Sequence, residues 1–284
     1  MLKFRNILRK IREYFSPNPN QMLLSSKVET LRDELLKNCQ YAIKLLETSK
    51  LCVTTAYSSV ENFLKFPIES TDPSTSSIKD QVIAHQITDV EMINKFMVQT
   101  HGVLEQEWEH FLYDIFTEGV VYYVKGYDLA DIRHKFSLEN FNPIVTIEEM
   151  REKISAELER ALLKYETLFK ESRSLFKIDE PDLLKEMQKQ ARVRHIFQHN
   201  KGKIRRLDLD AIGSIGPDAC IYILDEEGKS QPYKENKEIW LSLPEIQRLY
   251  ETIEQYSEKF QIKAEMAQPI KATNSSVKKP EVNT

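Results

Sequence analysis

Apolar residues recur at intervals of three and four positions along most of the chain, with polar residues between them. This spacing places the apolar side chains on one face of an α-helix, so it predicts amphipathic helices. Glycine is scarce, at 7 of 284 residues, which also favours long helices over many tight turns. Five segments are predicted to be helical: residues 22–66 as one or two helices, 78–127, 146–177, 181–199 and the segment that follows Ser242.

Two of these helices carry a stripe of large apolar side chains that we expect to lie in the core. In the helix over 78–127 the stripe comprises Leu104, Trp108, Phe111, Leu112 and Phe116. In the last helix the apolar face comprises Ile246, Leu249, Tyr250, Ile253 and Tyr256.

Two helix starts have the spacing of a capping box, in which two side chains bond each other's backbone N–H groups. Thr146 is followed three residues later by Glu149, and Ser242 is followed by Glu245. Both pairs precede a segment whose apolar residues have helical spacing, so each pair predicts the first turn of a helix.

Near residue 220 the pattern of apolar residues changes from one typical of helices to one typical of β-strands. The run CIYIL, Cys220 to Leu224, is apolar, aromatic and β-branched, DEEGKS predicts a turn, and EIWL, Glu238 to Leu241, predicts a second strand. The fold class expected is therefore mainly α, a helical bundle with a short C-terminal β-hairpin over about 219–241 and an extra helical region at the N-terminus.

The first fifteen residues have the pattern of a basic amphipathic helix that ends at Ser16-Pro17. Such a helix can pack on the body of the protein, lie on a membrane surface or bind a protein partner, and all three interpretations stay open. A Pro/Ser/Thr segment over 67–77 predicts a linker, and residues 265–284 have little to bury. We therefore predict N-terminal helices over 1–75, a main helical domain over 78–264 and a disordered tail over 265–284.

Composition narrows the class of protein. The net charge of −4 provides no global attraction to nucleic acid, so any contact with RNA or DNA must be a local patch. Three cysteines without a CxxC pair predict reduced thiols, filling small apolar spaces, in a cytoplasmic protein. Neither a transmembrane segment nor a secretory signal is expected, because no apolar run is long enough and the start has no cleavage site.

The densest chemistry lies in ARVRHIFQHNKGKI, Ala191 to Ile204, at the end of the helix that Asp179-Glu180-Pro181 starts and that Asn200 and Gly202 end. On a helix, Val193, Ile196 and Phe197 share an apolar face, while the arginines and histidines form a polar edge. A guanidinium grips phosphate oxygens, and an imidazole transfers protons near neutral pH. Two interpretations stay open: a solvated helix end, or a site that cleaves RNA without a metal.

The same stretch resembles the HEPN superfamily, whose ribonuclease members carry an Arg, a polar residue and a His within four to six positions. Here the matching residues are Arg194-His195-Ile196-Phe197-Gln198-His199, followed by Asn200 and Gly202, similar to the RHxxxHNxG of a bacterial subgroup. The upstream LEQEWEHFL and the downstream YKENKEIWLS also resemble such proteins. The resemblance extends over about residues 80–262.

The resemblance implies a helical domain that dimerises around one composite RNA-cleaving cleft, and a toxin or antiviral defence role by analogy. It implies that Arg194 and His199 are catalytic and that His195 and Asn200 support the site. Arg194 and His199 lie about 140° apart on a straight helix, so a second copy or a local unwinding would help both to reach one phosphate. Arg192 is a reserve candidate for the arginine role. An antitoxin or another protein could bind through the N-terminal helix.

Four cations flank the motif and suit a surface that follows an RNA backbone, although solvated loops carry such residues too: Lys201, Lys203, Arg205 and Arg206. His195 and His199 have i, i+4 spacing, but HIFQH lacks the Glu of a zinc-protease HExxH and no third ligand is evident. No metal and no cofactor are therefore expected. The alternative to an enzyme is a non-catalytic module of the same fold that binds RNA, a nucleotide or a protein.

Overall fold

A computed structural model of the chain describes residues 23–65, 89–130, 146–161 and 165–269. These ranges are mainly helical, with one two-stranded antiparallel sheet near the C-terminus, so the predicted fold class is confirmed. The elements are α1 (Leu24–Lys65), α2 (Asp89–Val124), α3 (Ile147–Ala161), α4 (Tyr165–Leu175), α5 (Pro181–Asn200), α6 (Arg206–Ala211), β1 (Cys220–Leu224), β2 (Ser230–Lys234) and α7 (Leu243–Met266).

Several predicted segments fall outside the described residues. They are the basic N-terminal helix, the linker over 67–77, the start of the helix predicted from 78 and the tail beyond 269. The domain boundaries that depend on these segments stay predictions. Inside the described ranges, the segment predicted as one or two helices over 22–66 is one helix, α1.

The chain divides into two compact units. One unit contains the described residues of Met1–Thr30, Leu112–Ile178 and Phe260–Thr284. Its core includes Phe116, and Phe176 and Phe260 meet there edge to face with ring centroids 5.2 Å apart. The Arg151 guanidinium grips the buried Glu118 carboxylate through two hydrogen bonds, of 2.6 and 3.0 Å.

The other unit contains Leu31–Phe111 and Asp179–Lys259 and carries the residues singled out by the motif. Its core includes Trp108, whose ring centroid lies 5.4 Å from that of Phe111 and 5.9 Å from that of Tyr256. Both predicted apolar stripes are buried, except that Tyr250 is only partly covered and accepts a hydrogen bond from Gln40.

The predicted second strand of the hairpin was wrong. β1 pairs with Ser230–Lys234, because the Asp225 carboxylate closes a tight turn through the backbone N–H groups of Glu227 and Lys229. The segment predicted as a strand, 238–241, instead runs beside the chain that leaves α5. Ile204 donates its backbone N–H to Lys237, and Ile239 donates to Gly202.

The two predicted capping boxes have different outcomes. Thr146 and Glu149 exchange side-chain to backbone hydrogen bonds of 3.0 and 3.1 Å, as predicted. At α7 only half of the box forms, because the Ser242 hydroxyl accepts from the Glu245 N–H while the Glu245 carboxylate is drawn elsewhere. The carboxylate accepts from Lys189, Gln190 and the backbone of Leu224, so it joins α5, β1 and α7.

All three cysteines are free thiols. Cys39 and Cys220 are buried, as predicted for small apolar fillers, whereas Cys52 is exposed on α1, so that prediction was wrong for Cys52. None of the helices in the described ranges combines the length and the apolar character that a bilayer crossing requires.

Candidate nucleic-acid interface

The motif occupies the last turns of α5, and its apolar residues decide which way the polar ones face. Val193 and Ile196 are fully buried, and Phe197 is partly covered by the chain that follows the helix. Gly202 has φ +85°, and an added Cβ there would meet the Phe197 ring at 3.0 Å. Burial of this face leaves the arginines and histidines of the helix along its less covered sides.

His195 and His199 form an imidazole pair at the end of α5, with ring centroids 4.6 Å apart and planes inclined at 45°. His199 is exposed and His195 is partly buried. Partial burial lowers the pKa of His195, and the neighbouring charges of Arg192 and His199 act in the same direction, whereas the Asp208 carboxylate acts against them. Two groups able to carry protons therefore lie side by side on one surface.

A buried carboxylate organises the surroundings of this pair. Asp208, in the first turn of α6, is 1% exposed and accepts hydrogen bonds from the Asn200 side chain at 3.2 Å and the Arg205 backbone at 2.9 Å. The Arg205 Nε lies 3.5 Å from Oδ2, and an Arg192 amino group lies 3.7 Å from Oδ1. We call Arg192, Asn200, Arg205 and Asp208 the Asp208 cluster.

The role of Asp208 was missed from the sequence. An acidic residue at the third position of a helix is a usual partner for the backbone N–H of the N-cap, and Asp208 bonds Arg205 in that way. The N-cap residue is Arg205, whereas helices usually begin at Ser, Thr, Asp or Asn, and α6 has only six residues. The sequence therefore gave little indication that a helix begins here.

Arg194 is placed differently from the other motif residues. Its guanidinium forms an ion pair with Glu109 of α2 at 3.3 Å. Its positive charge also lowers the pKa of the neighbouring Glu105, against the larger effect of burial, which raises it. Arg192, by contrast, is among the groups whose charge acts on His195. The structure therefore brings Arg192, His195 and His199 together on one side of α5 and directs Arg194 to α2.

The four flanking cations divide into two kinds. Arg206 is engaged by the Asp210 carboxylate at 3.1 Å and by the carbonyl of Gly216, and Arg205 belongs to the Asp208 cluster. Lys201 and Lys203 are exposed. Lys201 holds the left-handed position that ends α5, with φ 53° and ψ 39°, two residues after His199.

Behind Arg194, α2 and α5 share buried polar groups. His101 is paired with the side-chain carbonyl oxygen of Gln190 at 2.9 Å, and burial lowers its pKa to about 4, so it is a neutral core histidine. Burial raises the pKa of Glu105 to about 8, so most of this carboxyl group is protonated at neutral pH. On its α2 side, Arg194 thus has a partly exposed partner, Glu109, and a buried neighbour, Glu105.

Among the residues that the structure describes, no three or more His, Cys, Asp or Glu side chains converge as metal ligands would. The chemistry available at the end of α5 is proton transfer by the imidazole pair and attraction of anions by the surrounding cations. Comparisons with family models, with curated proteins and with solved structures found no match to the chain.

Proposed function

We propose that this protein is an endoribonuclease of the HEPN type that cleaves RNA without a metal ion. The observation that supports the proposal most directly is the imidazole pair, with ring centroids 4.6 Å apart and the charges of Arg192 and Arg205 acting on His195. Two exposed lysines, Lys201 and Lys203, follow directly after α5. We call His195, His199 and these four cations the basic edge.

The charge of the basic edge suits a phosphodiester. In the Asp208 cluster, two guanidinium groups and one carboxylate leave one positive charge, and the exposed Lys201 and Lys203 add two more in the segment between Asn200 and Arg205. Asp208 is 1% exposed, and both guanidinium groups approach its carboxylate, Arg205 to 3.5 Å and Arg192 to 3.7 Å. A fixed guanidinium loses less freedom on binding phosphate than a mobile one, which favours affinity.

The proposed reaction is attack of a ribose 2′-oxygen on the adjacent phosphorus. His199 transfers a proton, and a guanidinium stabilises the charge that develops on the phosphoryl oxygens. Within one chain, Arg192 shares the surroundings of the imidazole pair, so we assign it this stabilising role. The products are a 2′,3′-cyclic phosphate and a free 5′-hydroxyl.

The test is cleavage of an end-labelled RNA oligonucleotide by the purified full chain in excess EDTA. We expect cyclic-phosphate products from the native protein and a loss of rate of about 10²- to 10⁴-fold in His199→Asn. His110→Asn is the matched control, because His110 is an exposed histidine on α2 outside the basic edge. Circular dichroism confirms that each variant is folded.

Two outcomes contradict the proposal. Cleavage that persists at the native rate in folded His199→Asn would assign the activity to another group or to a contaminant. Binding of RNA by the native chain without turnover would favour the non-catalytic module, and binding would then depend on Lys201 and Arg205 as much as on His199.

The resemblance adds a homodimer and a toxin or defence role to the proposal. Analytical ultracentrifugation of the purified chain tests the first, and we expect twice the mass of one chain. Expression in a bacterial host tests the second, since a ribonuclease toxin arrests growth and His199→Asn should relieve the arrest. In a dimer with one composite cleft, the activity lost in Arg192→Gln and in His199→Asn should be restored by mixing the two chains.

A further inference from the structure

We propose that His195 is a second catalytic residue of this site, acting as the general base while His199 acts as the general acid. This inference rests on the proposed function and extends it, because the resemblance implied only a supporting role for His195. It is drawn from the placement of the two rings and from the charges around each of them.

The geometry places both imidazoles within reach of one phosphodiester. His195 and His199 are one helical turn apart, and their ring centroids are separated by 4.6 Å. The attacking 2′-oxygen and the leaving 5′-oxygen lie on opposite sides of a single phosphorus. Two neighbouring proton carriers can therefore serve both oxygens without a movement of the helix.

The charges around the rings separate their roles. Partial burial is the largest cause that lowers the pKa of His195. The charges of Arg192 and His199 on α5, and of Arg205 in the following segment, lower this pKa further, while the Asp208 carboxylate of α6 raises it. A neutral imidazole at neutral pH is the form that accepts a proton.

His199 lies in the last turn of α5 and is exposed. An exposed imidazole exchanges protons readily with solvent, so it can be recharged after it donates one. We therefore assign proton acceptance to the partly buried His195 and proton donation to the exposed His199.

His195 takes the proton of the 2′-hydroxyl as its oxygen forms a bond to phosphorus. The bond from phosphorus to the 5′-oxygen breaks, and that oxygen takes a proton from His199. The proton gained by one ring and the proton lost by the other are restored through solvent, so no oxidant, reductant or metal enters the step.

The experiment compares two substrates that differ only in their leaving group. The first is the dinucleotide uridylyl-(3′,5′)-adenosine, whose 5′-oxygen must be protonated as it leaves. The second is uridine 3′-(4-nitrophenyl phosphate), whose nitrophenolate leaves without a proton. Loss of a general acid should slow only the first reaction, whereas loss of a general base should slow both.

We expect His199→Asn to lose about 10²- to 10⁴-fold on the dinucleotide and less than about tenfold on the nitrophenyl ester. We expect His195→Asn to lose about 10²-fold or more on both, and to lose the decline in rate that the native protein shows as pH falls. His110→Asn should match the native protein on both substrates.

The role of His195 is contradicted, and the proposed function is not, when the native protein cleaves both substrates and His195→Asn keeps the native rate on the nitrophenyl ester. It is also contradicted when the pattern is reversed, with His195→Asn slow only on the dinucleotide. If the native protein binds RNA and cleaves neither substrate, the proposed function is what fails. Unfolding of His195→Asn is checked by circular dichroism, and His195→Gln then provides the same comparison with a longer amide.

Discussion

The Asn200 side chain donates a hydrogen bond of 3.2 Å to the buried carboxylate of Asp208, so the end of α5 is joined to the first turn of α6. The same oxygen accepts the backbone N–H of Arg205 at 2.9 Å. One buried acid therefore joins a helix end to the loop that leaves it, and it also forms longer ion pairs with Arg192 and Arg205. A carboxylate with several fixed donors is a strong constraint because its hydrogen bonds are charge-assisted.

Asp208→Asn removes this charge and keeps the size of the side chain. We expect the pKa of His195 to fall further, because the Asp208 charge is the neighbour that raises it. We also expect a loss of about 1–3 kcal/mol in the free energy of unfolding, since the charged acceptor is lost. NMR titration of the imidazole protons measures the first effect and urea unfolding the second.

The control for this variant is Asp210→Asn, an exposed carboxylate on the same helix that bonds Arg206. It should leave the titration of His195 unchanged. A folded Asp208→Asn protein whose His195 titrates as in the native protein would show that the Asp208 cluster does not govern the imidazole pair.

Glu105→Gln should make the protein more stable at alkaline pH. Burial raises the pKa of Glu105 from its ordinary 4.5 to about 8, so between these values the folded state holds a proton that the unfolded chain has released. The stabilisation from this group is complete below the unfolded pKa and is lost as pH rises through the folded one, at up to about 1.4 kcal/mol per pH unit. Gln imitates the protonated acid and has no such dependence.

The measurement is the urea midpoint of native protein and Glu105→Gln at pH 5, 6.5 and 8, where the difference should grow with pH in favour of the variant. Glu251→Gln, an exposed acid on α7, is the control and should follow the native curve. Equal slopes for the native protein and Glu105→Gln would contradict the assigned burial of a protonated carboxyl group.

Arg192→Gln and Arg194→Gln should have unequal effects on RNA cleavage. Arg192 lies against Asp208 on the side of the imidazole pair, and Arg194 lies against Glu109 of α2. We expect Arg192→Gln to lower the rate constant by about 10²-fold, as for loss of a donor to a transition-state oxygen, and Arg194→Gln to lower it much less.

Glu109→Gln separates the two roles open to Arg194. If Arg194 serves the fold through its ion pair, Arg194→Gln and Glu109→Gln should lower the free energy of unfolding by the same small amount, below about 1 kcal/mol for a pair this exposed. A loss of rate in Arg194→Gln that equals or exceeds that of Arg192→Gln would move the arginine role to Arg194 and would favour a cleft shared by two copies.

Lys201→Gly should change stability and RNA binding in opposite directions. Lys201 has φ 53°, a conformation that a side chain disfavours and glycine adopts freely, so the substitution should add about 1 kcal/mol to the free energy of unfolding. It also removes a cation of the basic edge, so RNA affinity should fall and the slope of log affinity against log salt should shrink by about 0.7.

Lys201→Gln is the matched control, because it removes the charge and keeps the strained backbone. It should weaken RNA binding as Lys201→Gly does, without the gain in stability. Equal RNA affinity of native protein, Lys201→Gly and Lys201→Gln would exclude Lys201 from the interface.

The mainly helical fold and its core could be predicted from the chain because these depend on local periodicity. An apolar stripe such as Trp108 with Phe111 must be buried wherever the helix packs, and Thr146 with Glu149 caps its own helix through bonds three residues apart. The grouping of His195 with His199 is also local, since both lie on one helical turn.

What depended on contacts distant in sequence was decided only by the tertiary structure. The partner of CIYIL is set by the turn at Asp225, and the Glu245 carboxylate leaves its own helix for Lys189 and Gln190 of α5. The ion pairs of Arg194 with Glu109 and of Arg192 with Asp208 are also contacts between residues distant in sequence. Charges interact through space and not along the chain. The residue types in the sequence therefore indicated a candidate site, whereas the packing of α2, α5 and α6 determined which of these residues meet.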